Sequence, residues 1–215
     1  MKKCRWADLP CGQPDQGEER GHYGRRVRWD DLFADLEGQL EQGLGAEDLD
    51  MAAEEERLRL GRLGFRDRVL AFVGEDLALE LRDGSRVAVR VETVGRDWIS
   101  GAAVGSRSAS CVVPLDAIAG LLPGVERVAA SLAAPSERPD ALSRRLGLAF
   151  VLRDLCRRRA TVEVTTTTRA LHGTIDRVGR DHLDLAEHDP GESRRPTAVR
   201  GIRILPFAEL LQLRF

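Results

Sequence analysis

Apolar and polar residues alternate in two short runs separated by a turn signal. Leu77, Leu79 and Leu81 alternate with Ala78 and Glu80, and beyond Asp83-Gly84 Val87, Val89 and Val91 alternate again, with Arg90 and Glu92 between or after them. A period of two places each apolar set on one face, and Asp-Gly between two such runs marks a tight hairpin. Ahead of the hairpin, Phe65, Val69, Leu70 and Val73 fall at helical spacing and predict a short helix across residues 64–74. A second turn at Gly95-Arg96-Asp97 leads into Trp98-Ile99. After a Gly/Ser loop, Ser110-Cys111-Val112-Val113-Pro114 reads as a strand stopped by proline, with a helix expected over 115–122.

The same order then recurs. A helix is expected over residues 140–158, with Leu142, Leu146, Ala149, Phe150 and Leu155 as its apolar stripe. Val162 and Val164 give a first strand, Thr165 to Thr168 a turn, and Leu171, Gly173 and Ile175 a long second strand. Val94-Gly95-Arg96-Asp97 reappears unchanged as Val178-Gly179-Arg180-Asp181, and residues 113–118 (VPLDAI) are matched by 205–210 (LPFAEL). The spacing between matched residues grows from 84 to 92, which a longer loop at 188–196 accommodates. One ordered set of matches indicates internal duplication. Trp98 and His182 fall at equivalent places, expected at the barrel rims. The expected fold class is α+β: two tandem small bent β-barrels, residues 64–122 and 140–215, each preceded by a helix and joined by a linker at 123–139. Strong bending leaves few strand edges exposed.

Upstream, residues 27–63 predict an acidic helical arm. Trp29, Leu32, Phe33, Leu36 and Leu40 form one stripe, and a break is expected at Gly43-Leu44-Gly45 before a second helical run. Eleven acidic residues stand against three basic ones between Val27 and Leu60. The arm reads either as a solvated helix pair packed on the barrels or as a docking helix, with Trp29, Phe33 and Leu36 as i, i+4, i+7 anchors for a partner groove. Residues 1–26 mix Pro, Gly and charge with no apolar period, the composition of a disordered leader. The abrupt change of register suggests translation from Val27.

Composition narrows function. The formal net charge of −2 provides no global field for nucleic acid or an anionic membrane, and aromatic residues, at 5%, offer few stacking platforms. No run of 18 apolar residues and no secretory h-region is present, so no membrane association is expected and a cytoplasmic location is the default. Cys4, Cys11, Cys111 and Cys156 lack zinc-ligand spacing, and Cys111 and Cys156 read as small buried hydrophobes. His172, His182 and His188 cluster with Asp181, Asp184 and Glu187, but strand geometry puts His188 beyond the strand end, so surface or rim histidines are expected rather than a metal site. No nucleophile elbow, HExxH or phosphate-loop pattern occurs. Neither an enzyme nor a bound cofactor or metal is expected.

In the second half, Leu171-His172-Gly173-Thr174-Ile175 resembles the L-x-G-x-hydrophobic strand of Sm-like domains, and Val199-Arg200-Gly201-Ile202 resembles that family's Arg-Gly motif. The first half has Val89 at the glycine position and no Arg-Gly, and the turn Gly179-Arg180-Asp181 is not followed by Asn. The resemblance implies an N-terminal helix before a five-stranded bent sheet, with ring formation and RNA binding among the family's properties. The Val-Pro strand ending is also similar to PRC-barrel domains, and the use of Arg for nearly all Lys resembles proteins of high-GC actinobacteria.

Two functions follow as expectations. The first is a non-catalytic interaction or scaffolding protein that binds an unknown protein partner or self-associates. The second is RNA or DNA binding through the second half, where residues 141–215 hold fourteen Arg against nine acidic residues. Arg157, Arg158, Arg159, Arg194, Arg195, Arg200 and Arg203 are its candidate phosphate contacts. The acidic arm could then lie across them as a mimic of nucleic acid.

Overall fold

A computed structural model of the chain describes residues 29–105, 110–133 and 142–215. The expected leader, 1–26, lies outside them. The chain divides into two compact units, Met1–Glu55 and Glu56–Phe215. Helix α1 (Trp29–Gly61) is continuous, so the break expected at Gly43-Leu44-Gly45 does not occur. Each glycine costs a helix interior about 1 kcal/mol, which flanking Leu, Ala and Glu can offset.

The second unit is mixed α and β, built on a single antiparallel sheet of ten strands. Helix α2 (Phe65–Leu70) precedes β1 (Asp76–Leu81), β2 (Arg86–Val94), β3 (Trp98–Ala103), β4 (Ser110–Pro114) and β5 (Ile118–Leu122). Residues 123–133, within the expected linker, form α3 (Val125–Val128) and a 3-10 turn. Helix α4 (Leu148–Arg157) then leads into β6 (Thr161–Thr166), β7 (Ala170–Val178), β8 (His182–Glu187), β9 (Gly201–Pro206) and β10 (Leu210–Arg214). The strand order is β5-β1-β2-β3-β4-β10-β6-β7-β8-β9. Each half thus places its last strand beside its first, and β4 and β10 join the halves. The sheet runs through both halves and does not close on itself.

The duplication extends to irregularities of the backbone. A register shift at Val91/Thr93 on β2 is repeated at Ile175/Arg177 on β7. Such bulges bend a strand and increase its twist. Asp83-Gly84 makes the expected turn, with Gly84 at φ +80°, a conformation glycine adopts at no steric cost. Gly173 is needed for space: a Cβ there would stand 2.2 Å from the Ala186 carbonyl oxygen on the facing strand. The first half has Val89 at that position and takes its glycine from the opposite strand, where a Cβ on Gly101 would lie 1.9 Å from the Arg90 carbonyl oxygen.

One expectation is overturned in both halves. The helices read after Pro114 and Pro206 are single 3-10 turns, Leu115–Ala117 and Phe207–Glu209, that lead into β5 and β10. A short, mostly apolar run after a proline suits either state, and a free neighbouring strand decided for the sheet. The opening helices are also shorter than expected, since α2 ends at Leu70 and α4 starts at Leu148.

Two apolar clusters fill the halves, and they exchange side chains. The first gathers Val69, Phe72, Leu77, Leu79, Val89, Val91 and Ile99, and also Leu211 from β10. The second gathers Leu152, Val164, Ile175, Leu183 and Leu213, and also Trp98 and Val112 from β3 and β4. Cys111 is fully buried, which pushes its thiol pKa up, and Cys156 is half-buried. His188, expected at the surface, is buried: its Nε2 lies 2.9 Å from the Thr174 hydroxyl and its Nδ1 3.0 Å from the Asp189 carbonyl oxygen. No helix among the described residues is long and apolar enough to cross a membrane.

Candidate interaction site

The junction between the halves pairs β4 with β10 over two positions and adds contacts beside the strands. Val112 pairs with Leu213 and Cys111 with Arg214, and the Phe215 N–H donates to the Ser110 carbonyl at 3.0 Å. Beside these rungs, the turn Gly95-Arg96-Asp97-Trp98 grips the entry to α4. The Arg96 N–H and the Trp98 indole N–H both donate to the Leu146 carbonyl, each at 3.0 Å. The Asp97 carboxylate accepts the Leu148 N–H at 2.7 Å, so a side chain of the first half satisfies one of the open donors of the second half's helix. Gly147 fits because a Cβ would meet the Arg96 guanidinium at 2.4 Å.

A further match in the sequence, outside the strands and turns that reveal the duplication, corresponds to this contact. Arg62-Leu63-Gly64 before α2 repeats as Arg145-Leu146-Gly147 before α4. The first half therefore owns a copy of the segment its own turn grips in the second half. A cavity of about 220 Å³ adjoins the grip and is lined by both duplicated arginines, Arg96 and Arg180, with Asp97, Asp116, Leu148 and Phe207.

The candidate phosphate contacts are largely engaged. Arg157 and Arg158 pair with Asp154 at 2.6 and 2.7 Å, Arg203 with Glu187 at 2.5 Å, and Arg200 with Asp189. Arg194 makes a two-pronged pair with Asp176, at 2.8 Å from Nε and 2.6 Å from Nη2. Arg159 and Arg195 are exposed, and Arg159 closes α4 in the left-handed region at φ 52°. The seven are spread over the end of α4, the 188–200 loop and β9.

The Asp176 carboxyl is held below its ordinary pKa, chiefly by the Arg194 hydrogen bonds. A lowered folded pKa means stabilisation that is complete above the unfolded carboxylate range and fades as pH falls through the folded value. Asp176→Asn is therefore expected to cost about 1 kcal/mol at neutral pH. The gap between variant and wild-type urea midpoints should shrink on acidification below the ordinary Asp range.

Of the candidate protein-binding anchors, Phe33 and Leu36 lie on α1 with half or more of their surface exposed, and Trp29 is the first residue of that helix. Among the described residues no cluster of three or more His, Cys, Asp or Glu could hold a metal ion. No protein-family model, curated protein or solved structure matches the chain.

Proposed function

We propose that this is a non-catalytic interaction or scaffolding protein that works through the open edges of its duplicated sheet, each half curved as a small Sm-like barrel. The observation that carries this reading is the state of β9. It is an end strand of the sheet, yet it carries Ile202 and Ile204 at 54% and 67% exposure, and β5 at the other end exposes Leu122. Strand edges that stay monomeric are blunted by charge, proline or a bulge. β9 holds one charge, Arg203, which is paired with Glu187, and Pro206 at its end; the rest of the strand is apolar and suits recognition by strand addition, in which main-chain rungs supply affinity and alternate side chains supply specificity.

Nucleic-acid binding is the competing reading, and the ion pairs weigh against it, since phosphate would have to displace carboxylates from five of the seven candidate arginines. The test is retention of proteins by the immobilised full chain, compared with Ile204→Asp, alongside the ultraviolet absorbance ratio of the native preparation. Retained proteins are expected to fall at least tenfold with the variant. Equal retention by both, or stoichiometric nucleic acid that salt removes, would overturn the reading.

A further inference from the structure

We propose that Thr197 is a phosphorylation site for an arginine-directed protein kinase, and that Asp176 restrains it by holding one of the two arginines such an enzyme reads. The sequence offers two candidates, Arg158-Arg159-Ala160-Thr161 and Arg194-Arg195-Pro196-Thr197. Each sets an arginine pair two and three residues ahead of an exposed threonine. A kinase reads such a pair with carboxylates in its substrate groove, to which guanidinium forks are matched. The chain around the threonine must lie extended across that groove, and the fold separates the two candidates on this point.

Thr161 is withdrawn from such a groove. It is the first residue of β6, paired with Thr174 on β7, and Val162 after it is buried in the second core. Arg158 pairs with Asp154 at 2.7 Å, and Arg159 closes α4 in the left-handed region. The residues ahead of Thr161 therefore follow the helix end and straighten only if it unwinds.

Thr197 has the opposite setting. It lies in the loop between β8 and β9, across which the spacing of matched residues grows from 84 to 92, so its segment belongs to what the second half has and the first lacks. Residues 193–197 join no strand ladder. The main-chain bonds of the loop are local turns: the Glu192 N–H donates to the Asp189 carbonyl at 3.2 Å, and the Ala198 and Val199 N–H groups donate to the Arg195 carbonyl at 3.0 and 3.2 Å. Arg195, Pro196 and Thr197 are all exposed, and Arg195 has no carboxylate partner among the described residues. Thr197 and Arg195 line one cavity of about 370 Å³ together with Gly191, Glu192, Ser193 and Ala198. Exposed loop segments of this kind are where enzymes reach a folded chain.

In the transfer, the Thr197 Oγ1 attacks the γ-phosphorus of a nucleoside triphosphate held by the kinase. The bond from that phosphorus to the bridging oxygen breaks, the diphosphate leaves, and the hydroxyl proton passes to the kinase's catalytic carboxylate. The product sets a charge of about −1.5 to −2 beside Arg195, whose fork can take two of its oxygens. Arg194 is the restrained member of the pair. It donates to Asp176 at 2.8 and 2.6 Å, and its side chain is 28% exposed. The kinase must win it from that carboxylate.

The test incubates the folded full chain with ATP labelled in its γ-phosphate and the catalytic subunit of cyclic-AMP-dependent protein kinase, a reagent that selects Arg-Arg-x-Ser/Thr, and maps the label by tandem mass spectrometry. Labelling at Thr197 is expected to be about tenfold faster than at Thr161, and about tenfold slower in Arg195→Ala than in wild type. Thr197→Ala should remove it. Asp176→Asn is expected to speed Thr197 about threefold and leave Thr161 unchanged. Equal acceleration of both threonines would report a loosened fold and overturn the restraint, as would no acceleration. The protein isolated from its own cells is expected to carry phosphate on Thr197. Label confined to Thr161, label that appears only after heat denaturation of the chain, or native protein without phosphate on Thr197 overturns the inference.

Discussion

Leu211→Ala is expected to unfold both halves of the sheet together and to lower stability by about 2–5 kcal/mol, the range for emptying a fully buried leucine site. The residue belongs to the last strand of the second half but lies in the core of the first, among Leu79, Val91 and Ile99. Its neighbours Leu210 and Leu213 lie in the core of the second half. A cavity at Leu211 therefore loosens the first core directly and the second through the strand they share. With Trp98 and Val112 crossing in the other direction, no boundary exists at which one half could melt while the other keeps its packing. Urea unfolding followed by far-ultraviolet circular dichroism and by tryptophan fluorescence should give coincident single transitions in wild type and variant, displaced by the lost stability. Two separated transitions would show that the halves fold as independent units, and a loss below about 1 kcal/mol would show that Leu211 does not anchor the first core.

Gly101→Ala and Gly173→Ala should each cost about 3 kcal/mol, an overpacking penalty with little route for relief. In both cases the added methyl meets a main-chain carbonyl rather than a flexible side chain: Arg90 in the first hairpin and Ala186 in the second. Those carbonyls belong to paired strands, so moving them breaks ladder bonds as well. Gly120→Ala provides the comparison, because nothing lies within 4 Å of a Cβ there. Thermal melts of the three variants should separate the first two from the third. Similar melting temperatures for all three would remove the steric account of the paired glycines.

These expectations depend on a duplication that is legible in the amino-acid sequence. The shared VGRD, the strand-Pro ending and the alternating leucines and valines are local signals, and they place the hairpins and the turn that follows each of them. They mislead at residues 118–122 and 210–214. There a short apolar run after a proline carries no period long enough to separate a helical turn from a strand, and the neighbouring strand made the choice. The histidines show the same limit. His188 sits just past the end of β8 with no hydrophobic pattern around it, and its burial follows from Thr174 on the adjacent strand.

The candidate arginines are visible as an excess of charge, but composition does not report pairing. Asp154, Asp176, Asp189 and Glu187 face their arginines through helix, loop and strand geometry that composition alone does not encode. For the edges the division is sharper. The sequence by itself determined that one unit is present twice, with matching turns, because alternation, turn chemistry and repeated words are properties of neighbouring residues. Only the tertiary structure decided that the two copies meet β4 to β10, burying Val112 and Trp98 while leaving Ile204 and His182 outside. Equivalent residues in a repeat have the same local chemistry, and which member of each pair is covered depends on where the chain ends its sheet.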